Sequence, residues 1–155
     1  MGPSSPEPDV ITLLAVALRR LRDELAAELR AAGFTDLRPV QGYVLSRLSF
    51  GGVTVGQLGE HLGLGKQAAG QLADELARLG YVRREPHPAD RRGKVIVLTD
   101  RGRARVQAVE RALAGIEVRL AEGLGLPALK SLRAGLAALG TGGQAALRPD
   151  ARPPW

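Results

Sequence analysis

Arg91 and Arg92, with Asp90 before them and Gly93-Lys94 after, put three cations and one carboxylate into five residues. That pattern suits ionic and hydrogen-bonded contact with phosphates, not bond making. His61 and His87 are the only histidines, His87 stands between Pro86 and Pro88, and there is no cysteine. One chain therefore assembles no catalytic triad, no thiol nucleophile and no multi-histidine metal site, and the expectation is a non-enzyme with no catalytic residue, metal or cofactor. Two apparent nucleotide motifs fail on context. Gly65-Lys66 has the end of a phosphate loop, but Glu60 and Gln67 stand where such a loop needs glycine and a hydroxyl residue. Gly123-Leu-Gly125 opens a spacing like that of a dinucleotide turn, yet it follows a helical pattern rather than a strand.

The charge is localised. The net charge is +6, and ten basic against five acidic residues between Gly65 and Arg105 carry five of those six charges. A concentrated positive field favours a polyanion, because neutralised phosphates release condensed counterions; acidic proteins and membrane surfaces are the competing partners. No run approaches the ~18 apolar residues of a membrane span, and Met1 to Asp9 carries acid and proline rather than a basic start followed by an apolar block. The expectation is a cytoplasmic protein without a membrane partner, and the lack of cysteine fits a reducing compartment.

Stepwise along the chain, 1–8 reads as a flexible proline-rich arm and 9–36 as a first dimerisation helix. Asp9 caps that helix, Ile11, Leu14, Leu18, Leu21 and Leu25 alternate at spacings of three and four, and Gly33 stops it. Residues 37–100 read as a DNA-binding unit. Pro39 starts a helix with Val40, Val44, Leu45 and Leu48 on one face. Thr54 and Gln57 form a capping box ahead of Val55, Leu58 and Leu62. Gly63 then turns the chain into a fourth helix over Lys66 to Leu79, with Ala69, Leu72, Ala73, Leu76 and Leu79 inward and Lys66, Gln67 and Gln71 outward. Gly59 and Gly70 weaken their helices by up to ~1 kcal/mol relative to alanine, which implies reliance on tertiary packing or a close approach. Tyr81–Arg84 and Lys94–Leu98 are β-prone runs around the breakers Pro86, Pro88 and Gly93, a hairpin whose tip is Asp90-Arg91-Arg92. Helix, turn, helix and basic hairpin in that order point to duplex DNA.

Residues 101–139 read as two more dimerisation helices. Thr99 caps the first, with Val106, Val109, Leu113, Ile116 and Leu120 as its seam, and Pro127 starts the second, with Leu129, Leu132, Leu136 and Leu139 inward. Residues 140–155 read as a flexible Gly/Pro-rich tail. Terminal helices with apolar seams and too little sheet to cover them predict a homodimer in which two copies interlock.

Leu76-Ala-Arg-Leu-Gly-Tyr-Val-Arg-Arg-Glu85, Asp90-Arg-Arg92 and Val95-Ile-Val-Leu-Thr-Asp-Arg-Gly102, in that order and spacing, resemble the MarR-type winged-helix transcriptional regulators. Val40 to Leu48 and Thr54 to Leu62 fit too, with Gly59 where the family usually has alanine, and the likeness spans roughly Thr12 to Leu139. The resemblance implies a mainly α fold with a small β-wing: a winged helix-turn-helix of six helices, dimeric through its N- and C-terminal helices. It implies that helix four reads bases and the wing tip enters the minor groove. Thr54, Lys66, Gln67, Gln71, Arg84, Asp90, Arg91, Arg92 and Lys94 are then the expected DNA-binding residues, Asp90 by orienting an arginine through an ion pair. Gln is able to bond adenine bidentately, and arginine suits a narrow minor groove.

By the same resemblance, a repressor of this type is released by a small anionic aromatic effector near helices one, two and five. Tyr43 and Arg47, one helical turn apart, offer a hydroxyl and a cation there, with Arg22 and Arg111 as further candidates. The alternative reading is a winged-helix module that docks onto protein without specific DNA binding, since this fold does not fix its partner.

Overall fold

The computed structural model of the chain describes residues 7–90 and 93–139. Arg91, Arg92, most of the expected arm (1–6) and the expected tail (140–155) lie outside the described residues. In chain order the elements are α1 (Val10–Ala31), α2 (Pro39–Leu48), α3 (Val55–Leu62), α4 (Lys66–Arg78), β1 (Val82–Pro86), β2 (Lys94–Leu98), α5 (Asp100–Leu124) and α6 (Leu126–Leu139). These six helices and a two-stranded sheet are the winged-helix arrangement expected from the sequence.

Local chemistry sets the boundaries. Asp9 accepts from the Thr12 amide at 3.0 Å and from its hydroxyl at 2.7 Å. The Thr12 amide bond holds the Asp9 carboxyl below the usual carboxylate range. At the head of α3 the Gln57 amide donates to the Thr54 hydroxyl at 3.2 Å and the Thr54 amide to the Gln57 side chain at 2.9 Å, a reciprocal box that satisfies two orphan donors. Gly63, at φ 67, supplies the left-handed residue that ends α3.

The winged lobe closes around Val44 and Leu45 of α2, Leu58 of α3, Leu76 of α4, Tyr81 and Ile96, with Val106 of α5 sealing one side. Among the described residues β1 pairs only with β2, antiparallel, from Val82↔Leu98 to Pro86↔Lys94, and Val53 adds a bridge to Ile96 on the other side of β2. The first strand differs from the expected Tyr81–Arg84. Tyr81 instead finishes α4, its amide bonding the Leu76 carbonyl at 2.9 Å. Pro86 ends the strand rather than breaking it, which an edge strand tolerates because its outer side needs no N–H.

α5 buries Gly102, Val106, Ala108, Ala112 and Ile116. Of the expected seam, one chain buries Val106 and Ile116 and leaves Leu113 exposed, while Ala108 and Ala112 take the inner face because α1 packs there. Glu24 meets Arg119 while Phe34 meets Arg105, so α1 and α5 run antiparallel. Of the four leucines expected inward on α6, only Leu129 is buried, while Leu132, Leu136 and Leu139 are 42%, 44% and 69% exposed. Ile11 and Leu18 on α1 are 80% and 51% exposed. Among the described residues of one chain, nothing covers these apolar rows.

Candidate nucleic-acid interface

α4 meets α3 through a glycine contact. A Cβ on Gly59 would lie 2.8 Å from the Leu64 carbonyl and 3.5 Å from the Ala69 Cβ, so the residue is there for close approach. Gly70 meets only Val55, at an ordinary 3.8 Å. The close crossing holds α4 with its buried side on the lobe and Lys66, Gln67 and Gln71 fully outward. Its N-cap is Gly65, which has no side chain to bond the first-turn amides. Those amides and the positive end of the helix dipole are left open to an anion.

Thr54 is half-buried, and its hydroxyl oxygen is engaged in the α3 cap. Lys66 and Lys94 are exposed and make no ion pair among the described residues. Arg84 does: its guanidinium lies 2.6 Å from Asp74 of α4, which ties β1 to α4 and places Arg84 between both elements. Arg83 turns to Glu85 at 2.6 Å and to the Leu98 carbonyl at 3.3 Å. The hairpin end is organised by backbone. The His87 amide donates to the Gly93 carbonyl at 2.9 Å, and the Gly93 amide to that of Asp90 at 3.0 Å. A Cβ on Gly93 would sit 3.1 Å from the Asp90 carboxylate. Arg91 and Arg92, between them, are outside the described residues.

The effector candidates sit in different surroundings. The Tyr43 hydroxyl is 2.9 Å from His61 Nε2, the two rings stacked 5.6 Å apart, and burial pushes the Tyr43 pKa up. Arg111 lines a hollow of about 130 Å³ between α1 and α5 with Glu28, Ala32, Ala108 and Ala112. Neither that hollow nor the larger one, about 410 Å³ between α2, the sheet and α5, includes Arg22, Tyr43 or Arg47. In the larger one Arg83 and Arg103 are already paired, with Glu85 and Asp100.

Sequence reasoning passed over two polar assemblies. Buried Gln41 accepts from the Arg38 amide at 2.8 Å and donates to Glu75 at 3.0 Å, and Arg38 pairs with the same carboxylate, joining α2 to α4. The Arg38-x-x-Gln41 spacing is the signal, since glutamine three residues past a cap reaches back to it. Asp36, Tyr81 and Arg101 form the second, which no local spacing announces because they are far apart in sequence.

Residues 35–93 match the model of the MarR family. The chain is 31% identical over 120 residues to the uncharacterised protein Rv2011c of Mycobacterium tuberculosis, covering 77% of this chain and 80% of that protein. The crystal structure of Rv1404 from Mycobacterium tuberculosis superposes with a TM-score of 0.77 at 28% identity, over 91% of this chain and 99% of that one. A mutant of MepR from S. aureus, solved bound to an oligodeoxyribonucleotide, shares the fold with a TM-score of 0.63 at 21% identity, over 92% and 100%. A matching winged lobe, a relative above 30% identity along most of its length and the same six-helix frame agree: the chain belongs to the MarR family.

Proposed function

We propose that this protein is a sequence-specific DNA-binding transcriptional regulator, a repressor that works as a cytoplasmic homodimer on a pseudo-palindromic operator and is released by a small anionic aromatic effector. The observation that carries the reading is the start of α4. Open first-turn amides, Lys66, Gln67 and Gln71 all point away from the lobe, where a phosphate and then a base edge would be met in a major groove. Lys94 is exposed at the start of β2, and on this reading the Asp90-to-Gly93 segment, which carries Arg91 and Arg92, would meet a neighbouring minor groove.

Each residue's part follows from its surroundings. Lys66 neutralises phosphate; Gln67 and Gln71 read base edges; Arg84, held by Asp74, bridges the reading helix to the wing. Thr54 contributes by ordering α3, with its own O–H left to donate to a phosphate. A second copy would cover the exposed rows of α1 and α6 and set two such lobes about one helical turn of duplex apart. The MepR complex with DNA is consistent with this use of the fold.

The test is selection of bound fragments from random duplex, followed by titration of the best site and of scrambled duplex across salt. A regulator gives a large specificity ratio and an affinity that falls steeply with salt, about one counterion released per phosphate contacted. Equal affinity for site and scramble, or no salt dependence, would point to a module that docks onto protein. Neither of the two hollows described above collects Arg22, Tyr43, Arg47 and Arg111, and on this reading a second copy would complete the effector site. Thermal shift against a panel of phenolic acids checks it, and a panel with no stabilising member sinks that ligand class.

A further inference from the structure

Asp36 lies in the 32–38 connection between α1 and α2, Tyr81 at the turn from α4 into β1, and Arg101 in the first turn of α5. The fold brings all three to one point. The Tyr81 hydroxyl donates to one Asp36 oxygen at 2.6 Å, and Arg101 donates to the other at 2.8 Å and to the Tyr81 hydroxyl at 3.2 Å. The Arg101 guanidinium also lies over the Tyr81 ring, 4.6 Å from its centre, and the Phe34 ring packs on it at 6.3 Å. Tyr81 itself is fully buried.

The backbone is fastened at the same place. The Thr99 amide donates to the Tyr81 carbonyl at 3.0 Å and the Thr99 hydroxyl to the Gly80 carbonyl at 2.6 Å. Gly102 passes so close that a Cβ there would collide with the Tyr81 carbonyl. The winged lobe has two covalent connections to the α1/α5 pair, residues 32–38 and Thr99. The three side chains cross-link both of them where the lobe turns on that pair.

We propose that Asp36, Tyr81 and Arg101 are positioning residues that fix the angle of the winged lobe on α1 and α5, and through it the half-site spacing the protein accepts. The inference rests on the dimeric, operator-binding reading above. Adjacent base pairs are about 3.4 Å apart along the duplex, so a small rotation at this junction, amplified over the length of the lobe, moves α4 by a whole step. Burial pushes the Tyr81 hydroxyl's pKa up, which keeps it a neutral donor across the physiological range. Arg101 holds its proton at all such pH values.

The experiment uses the full chain and a panel of duplexes carrying the selected half-sites at the best spacing and at one base pair more or less. The wild type discriminates sharply among spacings. Tyr81→Phe, which deletes only the hydroxyl, is expected to lose about tenfold at the best spacing with nearly unchanged affinity for the other two, so the profile flattens. Binding to random duplex and the subunit number in sedimentation stay as in the wild type. Asp36→Asn gives the same flattening, and serves if Tyr81→Phe does not fold. A uniform loss at every spacing, or no change, overturns the proposal, because a residue with a merely structural role would weaken all three duplexes alike. A wild type that binds its selected site but ignores spacing also overturns it, leaving the operator reading intact. A wild type with no preference for any duplex overturns both.

Discussion

Lys66 and Arg92 are both assigned to DNA on the proposed reading, yet their places in the chain give them different work there. Lys66 stands at an open helix start and is expected to meet phosphate without regard to sequence. Lys66→Ala should therefore weaken selected and scrambled duplex alike and lower the slope of log affinity against log salt by about one; an unchanged slope would remove Lys66 from the interface. Arg92, outside the described residues, is expected from the sequence at the hairpin tip. Arg92→Ala should cost about 1 to 3 kcal/mol of operator binding with the dimer intact, measured by titration at fixed salt. Arg84 is the instructive contrast. The sequence alone placed it with the contacts, whereas its ion pair with Asp74 makes it first a strut, and an exposed pair of that kind adds little to stability.

At the scale of elements, the approach of α3 to α4 decides how far α4 stands out from the lobe. Gly59→Ala introduces a methyl group 2.8 Å from the Leu64 carbonyl, so the gain in helix propensity is outweighed by overpacking, and the variant should lose about 1 to 3 kcal/mol in denaturant unfolding. A stabilised variant would show that the two helices slide apart freely. Thr54→Ala removes one half of the α3 capping box and should cost about 1 kcal/mol of stability, read as a shift of the same unfolding midpoint. Any loss of DNA affinity in that variant, measured well below its unfolding transition, reports the hydroxyl's own contact.

For the molecule as a whole, the exposed apolar rows set the expectation. Leu132, Leu136 and Leu139 on α6 and Ile11 and Leu18 on α1 leave water only if another surface covers them. Leu136→Glu combined with Leu18→Glu should convert a dimer into single subunits in analytical sedimentation and abolish high-affinity operator binding, with random-duplex binding by each lobe largely retained. Dimers that survive both charges would place the subunit interface elsewhere.

Much of this architecture is legible in the chain because its signals are local. Asp9, Thr54 and Thr99 cap helices through residues three positions on, Gly63 ends α3 with a positive φ, and the run from Leu76 to Gly102 spells the hairpin and its flanks. Those determinants act within a few residues, so reading them requires no knowledge of what lies opposite. What lies opposite was left to tertiary structure. Periodicity marks Leu113 and Leu132 as apolar but does not say which face α1 covers; the small side chains of Ala108 and Ala112 decide that by letting α1 approach. Nor does spacing pick between packing and close contact for Gly59, join Gln41 to Glu75, or bring Asp36, Tyr81 and Arg101 together across 65 residues of chain. Such contacts are fixed by how the finished elements stack, a property of distances in space that a one-dimensional pattern does not contain.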